Sequence, residues 1–240
     1  MRYATGFVLS LLLINSLHAG DDKPAAVFGV GDKPPSLKLG GFVKGEPFAE
    51  FKPGTVYVVE FWATWCRPCL EQIPHFSELQ KANPKVVFLW VDVWDKDQEA
   101  VKGFVKRMGD KMNFSVALDS ECDEEGTGVM AKTWLPSLGG KGLPSTVVVD
   151  ADGKVAWMGA PNDVDKPLKA VVAGTWDIAA AAKEQKLRRQ VEQLVEKYDA
   201  RIQKALDAGP AETSKVLAEY SAALDKLRVE LDAASQPKGK

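Results

Sequence analysis

The 240-residue chain is poor in the residues from which metal centres and cross-linked scaffolds are built, with three cysteines and two histidines. Structural zinc takes four ligands in paired spacing, and one Cys-x-x-Cys with Cys122 and His75 does not make such a set. Haem attachment needs a histidine directly after the second cysteine, where Leu70 stands. Bridging Cys66 to Cys69 closes too short a loop to restrict the unfolded chain much, so a disulfide-stapled scaffold is excluded as well. An excess of one charge is also missing. Thirty-one Lys and Arg against 33 Asp and Glu leave a net charge of −2, with no footprint for nucleic acid or an anionic membrane. Long apolar runs are absent too: the stretch from Thr5 to Leu17 has about thirteen residues, short of a bilayer span.

That stretch carries information of another kind. Arg2 precedes it and the small residue Ala19 follows at Leu17-His18-Ala19, the layout of a secretory signal over 1–19 cleaved near Ala19. Export to the bacterial periplasm is therefore expected, a compartment where disulfides persist. The competing readings are an uncleaved anchor or a buried first helix. No cysteine follows the apolar run, so a lipid anchor is not expected.

Beyond the signal, 21–35 is an irregular lead-in rich in Gly, Pro, Asp and Lys, and 36–51 allows one or two short strands. A run of βα units follows. Residues 55–62 and 85–92 read as buried strands, 114–118 as a shorter one, and 67–81, 98–107 and 128–134 as helices. Pro74 is expected to kink the first helix. Residues 145–150 and 154–158 read as a hairpin about Asp150-Ala151-Asp152-Gly153, with a closing helix over 163–173. The pattern predicts an α/β fold with a mixed central sheet flanked by helices, over 20–177. Residues 178–240 change to Ala, Glu, Lys, Gln, Arg and Leu. One apolar stripe runs Leu187, Val191, Leu194, Tyr198, Ile202, Leu206, and a second runs Val216, Leu217, Tyr220, Leu224, Leu227, Leu231. Gly209-Pro210 separates them, so an α-helical hairpin is expected. Its stripes pack on each other and on the main domain, or offer a surface for self- or partner association.

Chemistry concentrates in VVEFWATWCRPC. Cys66 ends a strand and turn and opens a helix, where free N–H groups and the helix dipole favour a thiolate. Cys69 lies one turn inward and is shielded. Cys66 is thus the attacking thiol and Cys69 the resolving one. Arg67 adds positive charge beside Cys66, and Pro68 stiffens the first helical turn without wasting a backbone donor. Cys122 sits in Ser-Glu-Cys-Asp-Glu-Glu, where negative charge disfavours a thiolate, and reads as an incidental thiol or as a regulatory or intermolecular partner. His75 reads as a surface or packing residue.

The strand-then-WCxxC string resembles the thioredoxin superfamily, most of all its exported TlpA/ResA-type branch, over about 26–177. The resemblance implies a thioredoxin-like fold and a thiol–disulfide oxidoreductase without a cofactor, acting on protein thiols and disulfides. Gly142-Leu143-Pro144-Ser145-Thr146 is similar to the family's cis-proline loop. It implies a cis Leu143–Pro144 bond, with the Leu143 backbone pairing with a client's extended chain. Trp65, Arg67, Pro68, Leu143 and Pro144 are the client-binding residues so implied. Glu60 falls where thioredoxins carry a buried acid. In so apolar a strand it is expected to be desolvated and able to take the Cys69 proton, unless the strand is an edge with Glu60 facing water. The lysine that thioredoxin places near that acid is replaced by Phe88. Peroxiredoxins share the fold, but the threonine they need three residues before the reactive cysteine is absent, Thr64 being two before Cys66. Pro68 resembles the reducing members, which implies a membrane electron donor. Arg67 argues the other way, since stabilising the thiolate makes the pair more oxidising. The alternative function is an adaptor whose redox domain anchors the helical hairpin.

Overall fold

Six strands among the described residues form one mixed sheet: β1 (Leu39–Lys44), β2 (Tyr57–Trp62), β3 (Val87–Asp92), β4 (Ser115–Asp119), β5 (Ser145–Val149) and β6 (Val155–Gly159). Their order across the sheet is β1-β4-β3-β2-β5-β6. The computed structural model describes residues 27–139 and 142–235, so the signal expected over 1–19 lies outside them. The β2–β3 and β3–β4 pairs are parallel, while β1–β4, β2–β5 and β5–β6 are antiparallel. Every residue of β2 is buried, which is why its sequence reads as a nearly continuous apolar run. Residues 36–51 contain a single strand, β1.

Side chains of β2 alternate between two cores. Val58 and Trp62 face a layer containing Ile73 and Phe76 of α1 (Arg67–Ala82), Val101 and Val105 of α2 (Gln98–Met108), and Leu168 of α4 (Asp165–Val172). Tyr57, Val59 and Phe61 face Met130, Ala131 and Trp134 of α3 (Val129–Trp134), together with Phe28 and Val30 of the lead-in. Trp134 anchors this second layer, its ring 5.4 Å from Phe28 and 5.7 Å from Phe61. Pro74 lies inside α1, which runs on as one helix from Arg67 to Ala82. The hairpin turn is held by Asp150, whose Oδ1 accepts from the N–H groups of Asp152 and Lys154.

The C-terminal extension consists of α5 (Ile178–Ala208) and α6 (Pro210–Ser235), parted at Gly209 as the Gly-Pro step predicts. The first turns of α5 pack Ile178, Ala181 and Ala182 on the second core. Farther on, Tyr198 stacks on Tyr220 with ring centroids 5.0 Å apart, and Ala205 and Val216 are buried beside them. The two stripes are only partly used. Leu206 is 57% exposed and Leu217 47%, because Ala205 and Val216 take the places between the helices. Polar side chains outside both stripes add to the docking of α5 on the main domain. Gln185 accepts from Val30 N–H at 2.8 Å, and Arg189 donates to the carbonyls of Phe28 (2.9 Å) and Ser137 (2.7 Å).

Candidate active site

β2 ends at Trp62 and the chain turns through Ala63–Trp65 into α1. Cys66 caps that helix with extended backbone (φ −79°, ψ 91°), and Pro68 sits in its first turn. A capping side chain faces the open N–H groups of the first turn, and the Cys66 Sγ accepts from the Cys69 N–H at 3.3 Å. The same donor would favour a thiolate on Cys66 once the pair is reduced. Cys66 and Cys69 form a disulfide, with Cα atoms 5.3 Å apart. Cys69 is wholly buried and Cys66 nearly so, whereas the neighbouring Trp65 is 61% exposed.

Arg67 projects into solvent and pairs with Glu71 at 3.0 Å. Its charge is therefore shared with a carboxylate, which weakens its pull on the Cys66 sulfur and moderates the oxidising influence expected of it.

Glu60 lies on β2 between two paired strands, opposite Trp90 of β3 and Thr146 of β5. The edge-strand alternative is thereby overturned. Strand alternation puts Glu60 on the face of Val58 and Trp62, the core layer to which Cys69 belongs. The acid is fully buried, and loss of water pushes its pKa up to about 8, opposed in part by the Thr146 hydroxyl that donates to Oε2. Oε1 has no partner. Phe88 occupies the same face in the core layer, so the position offers no cation to the acid.

The Leu143–Pro144 bond is cis, as the family resemblance implies. Ser145 pairs with Phe61, so this loop stands at the sheet end where β2 leads into Cys66. Leu143 packs against both core layers, the one holding Cys66 and Cys69 included.

Residues missed in the sequence complete the surroundings. Asp95, after β3, accepts from the Thr64 N–H at 2.6 Å and from the Thr64 hydroxyl at 2.7 Å, clamping the turn before Trp65 and Cys66. Buried Asp92 hydrogen-bonds to Asp95. Desolvation first, then that bond and the charges of Asp95 and Asp119, push its pKa to about 9. Asp92 is thus a neutral carboxylic acid at pH 7, which lets it lie beside another carboxylate. Nothing in the local sequence beyond Asp-Val-Trp-Asp marks this arrangement, which depends on two strand ends meeting. Asp95→Ala strips both acceptors from Thr64 and is expected to cost about 1–3 kcal/mol, with Asp95→Asn costing less because one acceptor survives. Urea unfolding of the two variants checks this.

Cys122 lines a cleft with Asp95 and Asp119 at the border of this site. Its sulfur lies 3.7 Å from the Asp119 carbonyl, and desolvation followed by the Asp119 charge pushes its thiol pKa up. His75 bridges α1 to α4 through Asp165 at 3.0 Å, a packing role.

Residues 30–172 match the profile of the Redoxin family. The chain belongs to the redoxin family. Among curated proteins this redoxin is 25% identical over 160 residues to Protein FixW of Rhizobium leguminosarum, covering 63% of this chain and 70% of FixW. It is 36% identical over 107 residues to the thiol-disulfide oxidoreductase ResA of Bacillus thuringiensis subsp. konkukian. That match covers 44% of this chain, which spans about half (54%) of ResA. A solved thiol:disulfide interchange protein of Chlorobium tepidum TLS is similar at 24% identity and TM-score 0.44, covering 61% of this chain and 99% of that one. As a class, the redoxin is a thiol–disulfide oxidoreductase of the thioredoxin superfamily, related to TlpA/ResA-type proteins. The matched region ends before α5, so the helical extension lies outside it.

Proposed function

We propose that this redoxin, exported across the inner membrane with cleavage near Ala19, reduces disulfides in protein clients through Cys66 and Cys69. The observation that carries the reading is the asymmetry of the pair: Cys66 caps α1 at the rim, while Cys69 is wholly buried one turn inward. Exposed Trp65, Arg67 and Pro68, with Leu143 and Pro144 across the sheet end, form the surface to which the client chain docks. The Cys66 thiolate attacks a client disulfide, forming a mixed disulfide and releasing one client thiolate, which takes a proton from water. In molecules whose Glu60 is ionised, a minority at pH 7, Cys69 gives its proton to Glu60 and attacks the Cys66 sulfur. The Cys66–Cys69 bond forms, the bond from Cys66 to the client breaks, and the second client sulfur leaves as a thiolate that takes a proton from water, while Glu60 returns its proton to Cys69 when the pair is next reduced. Two electrons pass to the client, and a dithiol electron donor in the membrane returns them to the redoxin.

The reducing direction draws support from Pro68, from the partnership of Arg67 with Glu71, and from the Asp95 carboxylate at the Thr64 turn, since nearby negative charge disfavours the thiolate of the reduced pair. Equilibration of the mature protein with thiol buffers tests it. A potential near or below roughly −250 mV is expected. A value above about −180 mV, in the range of disulfide-forming catalysts, overturns the direction.

A further inference from the structure

Helix α5 carries four polar side chains, Gln185, Arg188, Arg189 and Glu192, to a cleft of about 250 Å³ whose opposite wall includes Pro144, Ser145 and Gly159. The register places this cleft at the same sheet end as the redox pair. Ser145 at the start of β5 opposes Phe61, and Gly159 at the end of β6 opposes Thr146, so both stand at the sheet end from which β2 runs into Cys66. Gln185 and Arg189 pin the helix there through the Val30 amide and the Phe28 and Ser137 carbonyls. The wall is thus a fixed part of this chain, made by a helix outside the family match.

Its charge is uneven. Arg189 gives one guanidinium nitrogen, Nη2, to the carbonyls of Phe28 and Ser137, which carry no formal charge. Arg188 is 60% exposed and meets Glu184 across 3.4 Å, an exposed pairing that a second carboxylate displaces at little cost. Two guanidinium groups and one carboxylate, Glu192, line the cleft.

We infer that α5 forms a selectivity wall of the client groove, with Arg188 and Arg189 favouring extended client segments that carry Asp or Glu beside their disulfide. The inference rests on the reducing function proposed above, since the Gly142–Ser145 loop is shared by the cleft and by that docking surface. An extended segment crossing the loop towards Cys66 passes the cationic wall, where guanidinium groups bind carboxylates through charge-assisted hydrogen bonds.

Two cyclic disulfide peptides, identical except for Glu or Gln at the positions flanking the cysteines, provide the test. The full mature protein is reduced, freed of reductant and mixed with each peptide, and its oxidation is followed by tryptophan fluorescence. Wild type is expected to react about fivefold faster with the Glu peptide at low salt, a preference that shrinks as salt screens the charges. Arg188→Gln should bring the ratio of the two rates towards one, and Arg188→Glu should invert it. Because the ratio is taken within each variant, a change in folded fraction cancels. Equal rates in wild type, or a ratio unmoved by Arg188→Glu, overturn the selectivity wall and leave disulfide reduction intact. Failure of wild type to react with either peptide overturns the reducing function itself, and the wall with it.

Discussion

Cys66→Ser is expected to abolish disulfide exchange, lowering the rate by about a thousandfold or more because the rim-facing nucleophile of the pair is gone. Cys69→Ser has a different signature. Cys66 still attacks, but no thiol resolves the product, so mixed disulfides with clients accumulate and survive denaturing gels run without reductant. The difference follows from burial: Cys69 has no access to a client, while Cys66 sits at the cap of α1 beside exposed Trp65. Trapping by Cys66→Ser in place of Cys69→Ser would reverse the roles. Full activity in the double variant would remove the site from the chemistry.

Glu60→Gln should stabilise the oxidised protein at alkaline pH. In the unfolded chain Glu60 titrates at its ordinary value of 4.5, whereas burial holds it protonated in the fold up to about pH 8. Below pH 4.5 the acid is neutral in both states and costs the fold no charge burial. Between pH 4.5 and about 8 the unfolded chain releases the proton and the folded one retains it, so wild-type stability falls as pH rises, by up to about 1.4 kcal/mol per unit. Above that range the loss levels off. Gln cannot ionise, and its carbonyl still accepts from Thr146, so the variant escapes this loss. Urea unfolding should show little difference near pH 4.5 and a gain on the order of 4 kcal/mol near pH 8. Stopped-flow kinetics supply the mechanistic half of the prediction. Decay of the mixed disulfide should slow in Glu60→Gln while the first attack by Cys66 is nearly unchanged, because only the Cys69 step uses the acid. An unaltered decay profile across pH would leave Glu60 a structural residue.

Asp92 complicates the alkaline limb of any such profile. Its carboxyl is held up to about 9 by desolvation and by Asp95, so it too loses its proton in the fold late. Its linkage has the same sign, with stability present at low pH and lost as pH rises towards 9. Comparing each variant with wild type at matched pH isolates the Glu60 contribution, provided the two acids do not couple. They occupy different strand positions: Glu60 is mid-strand on β2, and Asp92 ends β3 opposite Trp62.

Much of this molecule is legible along the chain because its determinants are local. The strands β2 and β3 announce themselves as unbroken apolar runs, since both their faces are covered. The cap of α1 is written in Cys66-Arg67-Pro68, and the break between α5 and α6 in Gly209-Pro210. In each case a backbone preference or a periodicity within a few residues decides the outcome. The redox pair belongs with these, because a helix N-terminus and a three-residue spacing are sequence properties.

Relations between distant residues were decided only by the tertiary structure. Whether Glu60 faced water or core depended on β2 being flanked by β3 and β5, and no local pattern states which strand is central. Its hydrogen bond from Thr146 and the clamp of Asp95 on Thr64 each join segments that meet only across the sheet. The docking of α5 departed from its apolar stripe for the same reason. Periodicity locates the side chains on one helical face, but their partners are chosen by whatever surface the fold sets opposite. Here polar Gln185 and Arg189 found the backbone groups of Val30, Phe28 and Ser137, while Leu206 was left in solvent. Local chemistry thus determined where the thiols and helices lie, and long-range packing determined which charges and carboxyl groups surround them.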